Sequence, residues 1–303
     1  MNLKERFLSV FSDERKNLDR VPTFVQHLLD GFIMKNEAAL FDIWKGDFTY
    51  NVAFDSAMCM GFDSAFASLP TDNIEAMRKT QDHYERISDI FFPLVGVGGG
   101  LFDSMYNQDY TIFSYHYCKR TKYYRETLKN LAENVKKVVE NIIEALGDRP
   151  GIICLKDDVA FKGKPMLSPD RFRQDMGKYY KEINKMIHDA GMHTLLHTDG
   201  DVTDMVPAFQ EAGFEGVQAW EGGADPFEIV EKYPEFVTVG WGDVSYVLPF
   251  GTEKEIEDHV KYIMDAAKEN RHLVAGPSTV IYEKIPIENV RYFMKCIKKH
   301  GNY

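Results

Sequence analysis

The sequence lacks any long apolar run. No stretch approaches the roughly 20 consecutive apolar residues that a membrane-spanning helix needs. The first 13 residues mix Lys4, Glu5 and Arg6 with apolar side chains, unlike the uninterrupted apolar core of a secretion signal. We therefore expect a cytoplasmic protein that has no membrane as a partner.

The sequence also has fewer basic than acidic residues. The 36 lysines and arginines face 47 aspartates and glutamates, which leaves a net charge of -11. A chain with this charge repels nucleic acid backbones and anionic lipid surfaces, so we expect neither as a partner. The four cysteines are scattered, and no C-x-x-C pair predicts a zinc knuckle or a redox dithiol.

The sequence does contain a regular alternation of short apolar runs with longer amphipathic segments. Lys122–Leu146, for example, has apolar residues at helical spacing and Gly147 directly after it. The alternation predicts parallel strands joined by covering helices. Asp42–Tyr117 has no clear period, and the glycine run Gly96–Gly100 within it is predicted to be a mobile loop. The predicted strands are Pro22–Gln26, Gly151–Leu155, His193–His197, Gly216–Trp220, Phe236–Trp241 and His272–Gly276.

Polar side chains follow four of these predicted strands. Because the carboxyl ends of parallel strands meet at one edge, acidic side chains there share one mouth. A bound cation or an acid–base reaction would offset their repulsion. Taken singly, such aspartates equally well predict caps of the following helices. The polar groups are Lys156-Asp157-Asp158, His197-Thr198-Asp199-Gly200-Asp201, Glu221 and Asp243.

His197 is the sharpest single candidate among these residues. It ends a buried strand, and Asp199 two positions later lies on the same side, which suits a shared metal ion. The alternative is a neutral histidine that bonds a neighbouring carboxylate. His193 begins the same strand and is expected at the opposite, structural end. His259 and His300, both at helical positions, are expected in solvent.

The segment around His197 resembles a known family. His197-Thr198-Asp199-Gly200-Asp201, followed by EAGFEGVQAWE ending at Glu221, is similar to the H-x-C-G-N or H-x-D-G-D segment of the uroporphyrinogen decarboxylase superfamily. The resemblance implies a single (β/α)8 TIM barrel over residues 1–303, with N-terminal helical additions over the barrel and a site at the carboxyl mouth. The other similar segments are Asp19-Arg20-Val21-Pro22, Asp157-Asp158 with Ser168-Pro169, Val239–Asp243 with Gly251-Thr252, and Ala275–Ser278 with Pro286 and Glu288-Asn289-Val290.

The resemblance stops at the arginines of the decarboxylase itself. That enzyme carries R-x-x-G-R just after its R-V-P, where it grips the carboxylates of the porphyrinogen. Here Thr23–Asp30 contains no arginine, so a polyanionic tetrapyrrole would lack its bidentate partners. A uroporphyrinogen decarboxylase-like decarboxylase is kept only as an alternative.

The other large branch of the superfamily comprises cobamide-dependent methyltransferases. Its coenzyme M enzymes bind zinc through a histidine, two cysteines and often a glutamate. By this resemblance His197 and Glu221 would bind zinc, with Asp199 as a further ligand, whereas Asp199 and Ser278 stand where the cysteines would be. Without thiolates the site would offer only nitrogen and oxygen ligands, which are harder than sulfur. A zinc ion there would act as a Lewis acid on an ether oxygen.

The resemblance therefore implies an O-demethylase methyltransferase that moves a methyl group from an aryl methyl ether to cobalt(I) of a corrinoid protein. The corrinoid is expected on a partner protein, because no D-x-H-x-x-G cobalamin loop occurs here. One alternative is transfer from methylcobamide to another acceptor, such as a coenzyme M-like thiol. Another is a barrel that binds a ligand without catalysis. The methyl donor, the acceptor and the oligomeric state, a homodimer included, are left open.

The remaining roles are assigned by position at strand ends. Four carboxylates, Asp157, Asp158, Asp199 and Asp243, are expected to be catalytic. Aromatic side chains at the mouth would stack on an aryl donor, although core packing is their commoner use. Gln26 or His27 would position the substrate oxygen. The expected substrate-binding residues are Phe24, Gln26, His27, Trp220, Trp241, Tyr246 and Ser278, with Phe161 as a further aromatic.

Overall fold

The computed structural model describes residues 1–41, 52–67, 69–87, 94–107, 109–221 and 223–303. Within them, eight parallel strands form one sheet and two short strands form an antiparallel hairpin. The strands are β1 Phe24–Val25, β2 Ser64–Ala67, β3 Leu94–Val97, β4 Ile152–Lys156, β5 Ala160–Phe161, β6 Lys164–Pro165, β7 His193–His197, β8 Gly216–Trp220, β9 Val237–Gly242 and β10 Leu273–Pro277.

The parallel sheet has the order β1-β2-β3-β4-β7-β8-β9-β10. A parallel bridge between Thr23 and Ala275 joins its first and last strands, so the sheet closes into a barrel. The prediction of a (β/α)8 barrel is therefore confirmed, and all six predicted strands are present with bounds that differ by at most two residues. The prediction for Gly96–Gly100 is wrong in part, since Gly96 and Val97 belong to β3.

Helices cover the outside of the barrel, and the longest of them bury one apolar face each, as the predicted helix Lys122–Leu146 does. Among the described residues no helix has the length and apolar character that crossing a bilayer requires. The helices are α1 Leu3–Ser9, α2 Asp30–Lys35, α3 Glu37–Phe41, α4 Val52–Cys59, α5 Ile74–Ile87, α6 Asp103–Tyr106, α7 Tyr110–Lys119, α8 Lys122–Leu146, α9 Pro169–Phe172, α10 Lys178–Asp189, α11 Val206–Glu211, α12 Pro226–Lys232, α13 Val247–Phe250, α14 Glu253–Asn270 and α15 Ile287–His300, with 3-10 turns at Asp13–Asn17 and Thr203–Met205 and a π turn at Arg173–Gly177.

The N-terminal segment closes the floor of the barrel, where the strands begin. Phe7 of α1 and Val10 pack into the same apolar cluster as inward-facing strand residues such as Cys154 and Leu195. His193, at the start of β7, stacks on Phe11 with ring centroids 4.4 Å apart, so it lies at the structural end as predicted. Since side chains alternate along a strand, the inward series on β4 and β7 ends at the mouth with polar residues.

Candidate active site

Three of the predicted polar residues meet at the mouth of the barrel. Lys156 and His197 are register partners at the ends of β4 and β7, which brings Asp158 and Asp199 alongside each other. His197 Nε2 lies 3.7 Å from Asp158 Oδ1 and 4.0 Å from Asp199 Oδ1. One ligand atom from each residue lies within 4.8 Å of the other two, and in the described part of the chain no other such group of three occurs.

A buried hydrogen-bond chain fixes the ring of His197. Its Nδ1 lies 2.5 Å from Oε1 of Gln218, and the Gln218 amide nitrogen donates to the backbone oxygen of Ser278 at 3.2 Å. Because that nitrogen is already a donor, the Gln218 oxygen accepts and His197 Nδ1 carries the proton. Burial lowers the pKa of His197 and so favours the neutral ring. Nε2 therefore presents a lone pair to the two carboxylates.

Asp199 has a buried oxygen that is unpaired in the described part of the chain. Its Oδ1, the atom nearest to His197, makes no hydrogen bond with any residue that the structure describes. Burial raises the pKa of Asp199 to about 6, and the charges of Asp158 and Glu221 add to the effect while His197 opposes it. An unsatisfied buried oxygen costs free energy, and a cation bound between these side chains would remove that cost.

The donor set fits a zinc ion. One imidazole nitrogen and two carboxylate oxygens are ligands that zinc takes, and three protein ligands leave one coordination position open for water or substrate. The second hydrogen bond of His197, to Gln218, is the kind of support that metal-bound histidines have. Asp158, Asp199 and His197 are thus the residues that would hold the metal.

Glu221 lies beside this group but outside it. It follows β8, and its Oε2 accepts a hydrogen bond from the Ser278 hydroxyl at 3.4 Å. Burial raises the pKa of Glu221, and the neighbouring acids Asp243 and Asp158 raise it further. The residues grouped with His197 are Asp158, which follows the adjacent strand β4, and Asp199; Glu221 is not in that group.

A cavity of about 250 Å³ adjoins Glu221 and Ser278. Trp220 and Trp241 line it, with rings stacked 5.2 Å apart and nearly parallel. Both positions depend on irregular backbone: β8 and β9 change register between Gln218 and Trp220, and Trp241 has a left-handed φ of 81°. The Trp241 indole nitrogen is buried and has no partner among the described residues. Strained backbone and unpaired donors concentrate at functional sites.

Asp158, His197 and Asp199 form the candidate metal-ligand group. His27 and Lys156 lie on the flank of this group opposite the cavity. Lys156 Nζ lies 4.4 Å from the centroid of the Phe66 ring, and the His27 ring lies 5.8 Å from the same ring. Burial lowers the pKa of Lys156. Burial also lowers the pKa of His27 to about 4, and the nearby charges of Lys156 and His197 lower it further. His27 is therefore a neutral ring at neutral pH.

Several predicted site residues lie elsewhere. Phe24, expected to bind substrate, is fully buried in the barrel interior, because β1 turns it toward the cluster behind the mouth. Asp157, expected to be catalytic, is fully buried and accepts hydrogen bonds from Phe102 N, Asp103 N and the Tyr180 hydroxyl. Burial raises the pKa of Asp157 to about 7.

Other expected residues keep a place at the mouth with different contacts. Asp243 lies in the cavity wall, but its Oδ1 accepts from Ser245 N and Tyr246 N and so holds the turn into α13. Tyr246 itself is 70% exposed, and Phe161 is 52% exposed. Gln26 is buried and accepts a hydrogen bond from the Thr279 hydroxyl.

Two residues of the site were missed or misplaced by sequence reasoning. Gln218 lies inside the apolar run GVQAW. An amide in a buried strand needs a hydrogen-bond partner, and this signal could have identified Gln218 as part of the site. His259 was predicted to be in solvent, which is wrong. It is half-buried in the cavity wall, and its Nε2 lies 3.1 Å from the Trp241 backbone oxygen, because α14 packs against the end of β9. His300, also predicted to be in solvent, bonds Glu257.

Comparison with known proteins identifies the family. The family model of uroporphyrinogen decarboxylase (URO-D) matches residues 91–300, so the chain belongs to the uroporphyrinogen decarboxylase family. No curated protein matches the chain.

Solved structures show the same fold. The chain is similar to a methyltransferase from Methanosarcina mazei, with a TM-score of 0.74 and 17% identity over 99% of each chain. It is also similar to a 3-keto-D-glucoside 4-epimerase from E. coli, with a TM-score of 0.51 and 12% identity over 92% of this chain and 99% of that one. At these identities the similarity concerns the barrel fold.

Proposed function

We propose that this protein is a zinc-assisted methyltransferase that moves a methyl group from an O-methyl donor, an aryl methyl ether, to cobalt(I) of a corrinoid protein. The observation that carries the proposal is the group of Asp158, His197 and Asp199, in which one buried carboxylate oxygen has no hydrogen bond to the described part of the chain. Membership of the family and similarity to a solved methyltransferase support methyl transfer over other barrel chemistry.

The chain's own residues would hold and orient the reactants. Asp158, His197 and Asp199 would bind zinc, and Gln218 would keep the metal-binding nitrogen of His197 free of its proton. A bound zinc ion supplies Lewis acidity toward the ether oxygen. Glu221, predicted as a zinc ligand, would instead face the substrate from the cavity wall together with Ser278.

The cavity beside Glu221 would take the aromatic part of the methyl donor. The Trp220 and Trp241 rings offer an apolar wall, and the indole N–H of Trp241, which has no partner among the described residues, offers one hydrogen bond. Such a combination of apolar surface and a few polar groups is typical of small-molecule sites. The corrinoid would reach the same mouth on its partner protein.

Metal analysis and a methyl-transfer assay test this proposal. The purified protein should contain about one zinc per chain, since the group offers one set of three ligands. Addition of methoxybenzene and cob(I)alamin should form methylcobalamin, followed by absorbance. His197→Ala should lower zinc content and the transfer rate by more than about 100-fold. Loss of the hydrogen-bond partner of a metal ligand already costs about 10–100-fold, and loss of the ligand itself should cost more.

His193→Ala is the matched control, since it removes a histidine from the floor end of the same strand. It should leave zinc content unchanged. Wild-type protein that lacks zinc after gentle purification and gains no activity when zinc is added would contradict the proposal.

A further inference from the structure

A lysine that forms no ion pair with the described acidic residues lies in the barrel mouth. Lys156 is partly buried at the end of β4, with its ammonium over the face of Phe66, and it makes no ion pair with any residue that the structure describes. Its place depends on Gly96, because a Cβ there would lie 2.7 Å from Lys156 Cε. Holding a cation away from water without a counter-charge costs free energy. This position therefore favours an anion that binds beside it.

The described neighbours of Lys156 place no negative charge within ion-pair distance of it. His27, which contacts the same Phe66 ring, is neutral at neutral pH. Asp158 attracts the lysine but lies beyond ion-pair distance, and it belongs to the metal-ligand group. Lys156 thus places a positive charge on one flank of that group, whereas the cavity lined by the two tryptophans lies on the other.

We infer that Lys156 binds the oxyanion that the methyl donor becomes when its methyl group leaves. In the reaction proposed above, the O–CH3 bond breaks and both of its electrons stay on oxygen. The methyl carbon forms its new bond with the electron pair of cobalt(I), which becomes methylcobalt(III). The donor is left as a phenolate, and a preorganised ammonium offsets charge that develops on that oxygen. The inference rests on the proposed function and narrows its substrates to methyl donors whose leaving group is an oxygen anion.

A phenol with a coloured anion tests this without zinc or cobalt. We would bind 4-nitrophenol to metal-free protein and follow its visible absorbance against pH. An opposite charge nearby shifts a pKa by about 1 to 3, so wild-type protein should lower the pKa of the bound phenol by about one unit or more. Lys156→Met should abolish this shift, and Lys156→Arg should retain it. Lys164→Met removes an exposed lysine of the β5–β6 hairpin and should behave as wild type.

The folded state of each variant is checked by thermal unfolding, and Lys156→Met should be at least as stable as wild type because a buried charge is removed. An equal shift in Lys156→Met, or wild-type protein that does not lower the pKa of 4-nitrophenol, overturns the inference. A Lys156-dependent shift in a protein without methyl-transfer activity contradicts only the proposed function. Methyl transfer without the shift contradicts only the role of Lys156.

Discussion

Single residues at the mouth differ mainly in whether their hydrogen bonds are complete. Asp157 accepts bonds from two backbone N–H groups and one hydroxyl, so both of its oxygens are bonded inside the protein. Asp199, which follows the neighbouring strand β7, has a buried oxygen with no hydrogen bond to any residue that the structure describes. Buried polar groups are nearly always hydrogen-bonded. An unpaired buried oxygen therefore indicates a position where a ligand binds.

Gln218 should control metal affinity without touching the metal. Gln218→Met removes the acceptor of His197 Nδ1, so the ring loses its fixed tautomer and orientation, and zinc affinity should fall about 10- to 100-fold. Gln218→Glu keeps an acceptor and should restore most of the affinity. Gln210→Met, an exposed glutamine on α11, should have no effect.

Zinc affinity of these Gln218 variants can be measured by competition with a coloured chelator. The absorption spectrum of cobalt(II)-substituted protein provides a second measurement, because it reports ligand geometry. Wild-type affinity and spectrum in Gln218→Met would show that the hydrogen bond does not position His197.

At the scale of elements, the glycine loop after β3 is fixed by the loop after β4. Asp157 binds the backbone that leads into α6, and Leu101 N donates to the Tyr180 hydroxyl at 3.3 Å. A Cβ on Gly100 would lie 2.4 Å from Asp157 Cβ, so glycine is required there by close packing. The two loops therefore form one unit behind the metal-ligand group.

Gly100→Ala should lower the free energy of unfolding by about 1 to 3 kcal/mol, the usual cost of overpacking a closed site. Gly98→Ala is the matched control, because a Cβ there meets nothing within 4 Å. Urea unfolding of both variants measures the difference. Equal stabilities would contradict the tight contact between the loop and Asp157.

At the scale of the whole molecule, periodicity predicted parallel strands covered by helices, the family resemblance implied the closed barrel, and the strand ends predicted where polar side chains gather. The sequence did not predict β2 and β3. Each has only four residues, which are too few to show a periodic pattern of apolar side chains, and β3 includes glycine. The choice between Asp158 and Asp157 could not be made from the sequence. Adjacent residues after a strand face opposite ways, and only the tertiary contacts of Phe102 and Tyr180 show which one is internal.

The floor of the barrel should govern stability separately from the mouth. Glu215 bonds His188 Nε2 at 3.2 Å, His193 Nδ1 at 2.9 Å and Thr194 N at 2.8 Å. Burial alone would raise the pKa of Glu215, but hydrogen bonds from the two histidines overcome it and lower the pKa to about 2. A lowered carboxyl pKa contributes stability that is present above about pH 4.5 and is lost as the pH falls toward 2.

Glu215→Gln should therefore lower the free energy of unfolding by about 2 to 3 kcal/mol at pH 7, the energy that corresponds to a shift of about two pKa units. The difference from wild type should shrink between pH 4.5 and pH 2, where wild-type Glu215 takes up its proton. Denaturant unfolding across this pH range measures it, with Glu269→Gln, an exposed glutamate on α14, as the control. Zinc content should not change, because functional groups of such barrels lie at the mouth and the floor serves stability. A pH-independent difference, or loss of zinc, would contradict this separation of the two ends.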